Sequence, residues 1–300
     1  MQVTALEAYE ALGECVVGLG FFDGIHRGHQ EILKRVVALA RERGRLAAVF
    51  SFRNHPASVL RPSAAPALLT PFDEKIPLLE ALGLDVLVWR EFDLGFAGVE
   101  AQEFVGDVLR DRLRAAAVVV GPNYRFGKGA QGTPATMSGL EVAVVEPLYE
   151  DGALVSSTRV REAVVAGDLV EAARLLGRPY AARGEVVRGD ARGRTIGFPT
   201  ANLGCPPEKL LPADGVYAMR VKVGDETVQG VANLGIRPTF GERRRVLEVH
   251  LLDYLGDLYG RTLQASFIER LRAEMRFDGV DALIAQIARD VESARALLAR

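Results

Sequence analysis

Apolar and polar positions in the first half of the chain switch between two periods. CVVGLGFF (15–22) is short and almost continuously apolar, which predicts a strand covered on both faces. HQEILKRVVALARERG follows, with Ile32, Leu33, Val36, Val37, Leu39 and Ala40 on one helical stripe and Gly44 as its stop. LAAVFSF predicts a second strand, DEKIPLLEALG a helix that carries Pro77 and ends at Gly83, and DVLVW a third strand. EAQEFVGDVLRDRL predicts another helix and AAAVVVG a fourth strand. Strands alternating with helices, the strands apolar throughout, predict a doubly wound α/β domain built on a parallel sheet. Ligands of such sheets bind at the carboxyl ends of the strands.

The pattern then changes. STRVREAVVAGDLVEAARLLGRPY predicts two short helices joined near Gly167 and Asp168. After it, ARGEVVRG, GVYAMRVKVG, ETVQGVANLG, VLEVHLLDY and TLQASFIERL are short, roughly alternating and separated by Gly, Asp or Pro. They predict an antiparallel barrel or sandwich. DALIAQIARDVESARALLA closes the chain as a helix with Leu283, Ile284, Ile287, Val291 and Leu298 on one stripe. The change of period places the domain boundary near residue 182, giving domains 1–182 and 183–300. A length of 300 residues, beyond what one core usually serves, agrees with two domains.

Composition narrows the function classes. The net charge of -2 exerts no general pull on nucleic acid or anionic membranes. Cys15 and Cys205 are far apart, match no metal spacing and read as buried thiols in a reducing cytosol. MQVTALEAYEALGE lacks the basic start and apolar core of a signal peptide, and no apolar run reaches the roughly 20 residues of a membrane span. A cytoplasmic protein without nucleic-acid or membrane partners is the expectation, and its oligomeric state is not readable.

Two of the 4 histidines, His26 and His29, fall in one glycine-rich loop, GLGFFDGIHRGHQEIL, between the first strand and first helix of the doubly wound pattern. A strand, a glycine turn and a helix N-terminus leave backbone N–H groups aimed at one point, which suits phosphate, and two imidazoles add donors. A metal site with Asp23 as a third ligand and a purely structural turn stay open on these residues alone.

More of the chain bears on that choice. GFFDGIHRGH resembles the HxGH signature of nucleotidyltransferases. GPNYRFGKGAQG and SSTRVREAVVAGDLVEAARLLGRPY resemble later motifs of the bacterial bifunctional riboflavin kinase/FMN adenylyltransferase family, also called FAD synthetases. GDARGRTIGFPTANL, GVYA, GVANLGIRPTF, LEVHLLDYLGDLYG and RFDGVDALIAQIARD resemble its kinase half. The resemblance runs through nearly the whole chain in order. Two places differ: Asn54 in SFRNHPASVL stands where the family usually has proline, and GKGAQGTPATM replaces a loop that more often shows Arg followed by Gly-Asp.

The resemblance implies an HxGH-type nucleotidyltransferase domain and an antiparallel β-barrel kinase domain with a terminal helix. It implies ATP-dependent phosphorylation of riboflavin to FMN, then adenylylation of FMN to FAD and pyrophosphate, with Mg²⁺ accompanying ATP. In the first domain Gly20, Phe21, Phe22, Gly24, His26, His29, Asn123, Ser157, Thr158 and Arg161 bind ATP on this reading. His26, His29, Asn123 and Arg161 are also catalytic, while Arg125 is structural or beside the substrate. Ser156, Ser157 or Thr158 also serves as a helix cap. In the second domain Gly193, Arg194, Gly197, Pro199, Thr200 and Asn202 hold ATP, with Arg192 on the same glycine-rich flap. Thr200 and Asn202 are the Mg²⁺ ligands, and Arg276 and Phe277 contact flavin. Glu248 becomes the general base for the riboflavin hydroxyl. On its strand it shares a face with His250 and Leu252, opposite Leu247, Val249 and Leu251. Two rival readings are a chain with only its kinase active and a flavin-binding regulator without catalysis.

Overall fold

The computed structural model describes residues 1–189, 192–239 and 242–299, with the backbone alone described at 192, 194, 237–239 and 242–244. The chain divides into two compact units, Met1–Ser157 and Thr158–Arg300.

In the first unit six strands, β1 (Gln2–Ala5), β2 (Cys15–Leu19), β3 (Leu46–Phe52), β4 (Val86–Arg90), β5 (Ala115–Val120) and β6 (Glu141–Val144), lie in the order β1-β4-β3-β2-β5-β6. Every neighbouring pair is parallel. Helices α1 (Arg27–Glu42), α2 (Pro56–Leu60), α3 (Phe72–Ala81), α4 (Leu94–Ala97) and α5 (Ala101–Glu103) connect them, and α5 runs on as a π-helix over Phe104–Arg112. Strand alternation feeds two cores. Val16, Ala47, Val49, Leu87, Ala117 and Val119 meet Leu33, Val36 and Leu39 of α1 on one face. Cys15, Val17, Ala48, Phe50, Val86, Val88, Val118 and Val120 meet Phe104, Val105 and Leu109 on the other. A Cβ on Gly18 would lie 2.9 Å from Val36, so glycine lets α1 sit close on β2. The strand order reverses around β2, whose neighbours are β3 and β5, and this makes the carboxyl ends of β2 and β5 the expected binding crevice. A small hairpin of β7 (Tyr149–Glu150) and β8 (Ala153–Leu154) ends the unit.

Helices α6 (Ser157–Ala166) and α7 (Leu169–Leu176) precede a closed antiparallel barrel. Its strands are β9 (Tyr180–Val187), β10 (Ala201–Gly204), β11 (Gly215–Val223), β12 (Glu226–Thr239), β13 (Glu242–Leu251) and β14 (Thr262–Arg272), arranged β10-β13-β12-β11-β14-β9. A short helix α8 (Arg192–Thr195) lies between β9 and β10, and α9 (Val280–Leu298) closes the chain. Tyr217 and Phe267 pack edge to face at 5.2 Å, and Met219, Val221, Leu247, Val249 and Ala265 are fully or almost fully buried. Outside, Val216, Ala218, Val231 and Leu252 pack under Ala294 and Leu298 of α9. The buried Asp290 of α9 receives Arg272 Nε at 3.0 Å, Arg272 Nη2 at 2.8 Å and Gln286 Nε2 at 2.8 Å, which pins the helix to β14.

The structure departs from the sequence reading in three respects. Helices 157–176, grouped by period with the first half, fall almost wholly in the second unit. The reason is the apolar stripe Leu169, Ala172, Leu175 and Leu176 of α7, which is buried where that helix packs on β9 and β14. Strands β1, β6 and β10 have only four residues each and no long apolar run, and periodicity missed them. Cys205 is half-buried rather than buried, whereas Cys15 is fully enclosed and its thiol pushed up to about 12 by that burial.

Candidate active sites

The first site grows from the end of β2. The chain leaves Leu19 through a tight turn in which Phe22 (φ 53°), Gly24 (φ 82°) and Ile25 (φ 41°) all take left-handed backbone. Asp23 in this turn is buried, and its carboxylate accepts the amides of Leu69 (3.1 Å) and Thr70 (2.9 Å). His26 caps α1, its Nδ1 accepting the His29 amide at 3.3 Å, so the neutral ring carries its proton on Nε2. The two imidazoles stack at 3.6 Å, and Phe22 meets His29 edge-on. His29 Nδ1 is buried without a hydrogen-bond partner. Burial, then the neighbouring charges of His26 and Lys75, holds this ring's pKa well below 6.5 and keeps it neutral. The Ser157 hydroxyl donates to the Asp23 carbonyl at 2.9 Å.

Beside this loop opens a cavity of about 520 Å³. Gly20, Phe21, Phe52, Phe92, Phe96, Tyr124 and Phe126 line it, with Arg61 and Arg125 among its polar members. Phe52 contacts Phe92 at 5.1 Å and Phe96 at 5.5 Å, and Tyr124 stacks on Phe126 at 5.9 Å. Such walls suit a flat aromatic ligand.

The second site lies on the outer face of the barrel. In register, Glu248 faces Asn202 of β10 on one side and Asn233 of β12 on the other, so three polar residues stand level across three strands. A Cβ on Gly189 would reach within 2.2 Å of Asn202, and one on Gly193 within 2.2 Å of the Phe198 carbonyl; only glycine lets these segments lie so close. His250 Nδ1 lies 2.7 Å from the Pro199 carbonyl and fixes the turn before Thr200. A cavity of about 370 Å³ is lined by Thr200, Asn233, Glu248 and His250, by Arg272, Glu274 and Phe277, and by Leu283 and Ile287 of α9. A second, of about 450 Å³, is lined by Pro199, Thr200, Tyr254, Asp257 and Tyr259. Thr200 belongs to both.

Comparison with known proteins separates these sites by family. Residues 8–159 match the family model described as FAD synthetase, and residues 176–298 match the one described as riboflavin kinase. The bifunctional riboflavin kinase/FMN adenylyltransferase of Escherichia coli K12 is 41% identical over 94% of this chain and 92% of its own. That of Bacillus subtilis 168 is 37% identical over 95% and 93%. The chain belongs to the bifunctional riboflavin kinase/FMN adenylyltransferase family. A crystal structure described as a macrolide-efflux protein from Streptococcus pneumoniae superimposes with a TM-score of 0.89 at 33% identity, over 98% of this chain and 99% of that one.

Within this family member the sequence-derived residues are distributed unevenly. Gly20 and Phe21 line the aromatic cavity, and Phe22, Gly24, His26 and His29 form the loop beside it. Asn123 is exposed in the turn after β5, the strand next to β2, and the exposed Arg125 lines the cavity instead. Thr158 and Arg161 stand at the start of α6, counted with the second unit. In the kinase site Gly193, Thr200 and Glu248 line the smaller cavity, Pro199 and Thr200 the larger, and Asn202 is buried in β10. Gly197 and Arg276 are exposed and line neither cavity; Phe277, next to Arg276, does. The side chains of Arg192 and Arg194 lie outside the described residues.

Sequence reasoning missed Phe52, Phe92 and Phe96, although all three stand at or just after the carboxyl ends of predicted strands, which was the available signal. It also missed Asn233, Arg272 and Glu274. Among the described residues no three His, Cys, Asp or Glu side chains gather as a metal-binding group, and the Asp23 carboxylate is engaged by backbone amides. The hydroxyl of Thr200, which lines the same cavity as Glu248, and the amide of Asn202, opposite Glu248 in register, are oxygen donors of the kind a hard cation takes.

Proposed function

We propose that the two sites perform successive steps, riboflavin to FMN in the barrel and FMN to FAD in the doubly wound unit, with ATP as the second substrate of both. The chain is an ATP-dependent transferase of flavin cofactor synthesis. The residue division we propose is 1–182 for adenylylation and 183–300 for the kinase, the helices at 157–176 being shared in structure with the barrel. Function in the cytoplasm is part of the proposal; among the described residues no helix is long and apolar enough to cross a membrane.

In the kinase step the riboflavin 5′-hydroxyl oxygen attacks the γ-phosphorus of ATP, ADP leaves, and the hydroxyl proton passes to Glu248. An alcohol needs such a base, and Glu248 stands at the cavity wall between two amide side chains. Thr200 and Asn202 would hold Mg²⁺, which supplies charge neutralisation to the phosphates when bound. In the adenylylation step an oxygen of the FMN phosphate attacks the α-phosphorus of a second ATP and pyrophosphate leaves. That phosphate is already ionised, so positioning and charge stabilisation suffice. His26, His29 and the first amides of α1 would donate to the ATP phosphates, and the aromatic cavity would take the flavin ring.

The observation that carries this reading is the partnerless, buried Nδ1 of His29, in a ring kept neutral at the start of α1 beside a cavity walled by aromatic rings. A chromatographic assay of riboflavin with ATP and Mg²⁺ tests it. FMN should appear first and FAD after it, and FMN supplied alone should yield FAD. Accumulation of FMN without FAD would confine the activity to the barrel, and flavin binding without ATP consumption would refute catalysis.

A further inference from the structure

Asn54 makes a pair of contacts that take both a donor and an acceptor on one side chain. The parallel ladder of β3 and β4 ends with Phe52 opposite Arg90, and one further backbone bond joins Arg53 N to the Arg90 carbonyl at 3.0 Å. Past that point the Asn54 side chain continues the pairing. Its Oδ1 accepts the Phe92 amide at 2.8 Å, and its Nδ2 donates to the Phe92 carbonyl at 2.9 Å. Nδ2 also reaches the Ser58 hydroxyl at 3.4 Å. One amide therefore occupies both backbone groups of Phe92, a residue in the loop between β4 and α4. The Phe92 ring packs on Phe52 and Phe96 and lines the aromatic cavity.

We infer that Asn54 is a positioning residue for the flavin side of adenylylation: it holds Phe92 in place as a ready-made wall for the FMN ring. This rests on the reading of the aromatic cavity as the FMN site. Asn54 touches no reacting atom, so its effect falls on FMN affinity, through the order already built into the pocket wall. The loop has no other side-chain amide in this role among the described residues.

The test measures steady-state adenylylation with the full-length protein and its Asn54→Ala, Phe92→Ala and double variants, with urea unfolding followed by Trp89 as a check that the first unit is folded and riboflavin phosphorylation as a check of the barrel. Loss of two ordinary hydrogen bonds should raise the KM for FMN about three- to thirty-fold in Asn54→Ala. The kcat, the KM for ATP and the kinase rate should stay within about two-fold of wild type. Phe92→Ala should raise the KM for FMN by itself, and adding Asn54→Ala should then change little, because the ring being held is gone. Asn54→Asp, of the same shape with the donor lost, should fall between wild type and Asn54→Ala. An unchanged KM for FMN in Asn54→Ala overturns the inference, as do effects that multiply in the double variant. A parallel loss of kcat and both affinities also overturns it, by reducing Asn54 to general stability. A wild-type protein that makes no FAD from FMN instead refutes the reading of the site, and the inference with it.

Discussion

Lys75 is an ammonium group sealed in the first unit, 1% exposed on α3. Its Nζ donates to the Phe21 carbonyl and to the Ser51 hydroxyl, and it lies 4.2 Å from the centre of the Phe21 ring. Burial pushes its pKa from 10.5 down to about 8, against the opposing pull of Asp23. The unfolded chain keeps this proton up to 10.5, so between about pH 8 and 10.5 it binds more protons than the folded one, and stability rises with pH across that window. At about 1.4 kcal/mol per pKa unit, the window of roughly 2.5 units is worth about 3 kcal/mol. Lys75→Met preserves length and removes the titration. At pH 7 the variant is relieved of a charge penalty of about 3 kcal/mol but gives up a charged hydrogen bond to the Phe21 carbonyl worth about 1.5–3 kcal/mol, that carbonyl keeping only the Ser51 hydroxyl at 3.3 Å, so the two proteins should be similarly stable there. Towards pH 10.5 the wild type should pull ahead by about 3 kcal/mol. Urea unfolding followed by Trp89 reads this directly: it is the only tryptophan in the chain, lies in the first unit and contacts Phe72 at the start of α3. Burial pushes the pKa values of Cys15 and Tyr124 up in both proteins, and their contributions cancel in the difference. A wild-type minus variant difference that stays flat from pH 7.5 to 10.5 refutes the account of Lys75 as a buried cation.

The remaining predictions concern activity and autonomy. Glu248→Gln keeps the side chain's shape between Asn202 and Asn233 and should lower riboflavin phosphorylation by about 10²–10⁴ while FMN still becomes FAD; a kinase rate within a few-fold of wild type removes Glu248 as the base. His29→Ala should cost adenylylation about 10²–10³ and spare the kinase, and FAD formation at the wild-type rate would show the loop to be misread. A fragment of residues 158–300 should fold and phosphorylate riboflavin. One that begins at 183 loses Tyr180, whose ring stacks on Phe267 and whose hydroxyl donates to the Leu210 carbonyl, and it should melt lower or aggregate; circular dichroism and a kinase assay on both fragments decide.

Much of the fold was legible because burial repeats along the chain. LAAVFSF predicted β3 to the residue, since a central parallel strand is apolar on both faces and announces itself without its neighbours. The opposing faces of β13 were readable in the same way: Leu247 and Val249 are buried, and Glu248 and His250 line a cavity. Strand β10 was hidden because its four residues derive their pairing from β9 and β13, which are distant in sequence. The histidine loop stood out by its composition. Its aromatic companions did not, because Phe52, Phe92 and Phe126 come from three separate connections and become a wall only when β3, β4 and β5 align their ends. Arg276 was singled out for its place ahead of the last helix, whereas the arginine that lines the cavity is Arg272, held by its ion pair with Asp290.

Strand β14 pairs with both β9 and β11, so the barrel closes only with Thr262–Arg272 in place, whereas the first unit is complete at Ser157. On the ribosome the parallel-sheet unit of the half that uses FMN is therefore finished more than a hundred residues before the half that makes it. The order of manufacture is the reverse of the order of reaction. A stop codon anywhere between about codons 190 and 260 leaves a product whose parallel sheet is whole and whose barrel stays open, with unpaired strand edges exposed to other chains. In an extract, such an allele retains FAD formation from added FMN and loses it from riboflavin. Early and late truncations of one gene thus give different chemical phenotypes, set by which strand is the last to arrive.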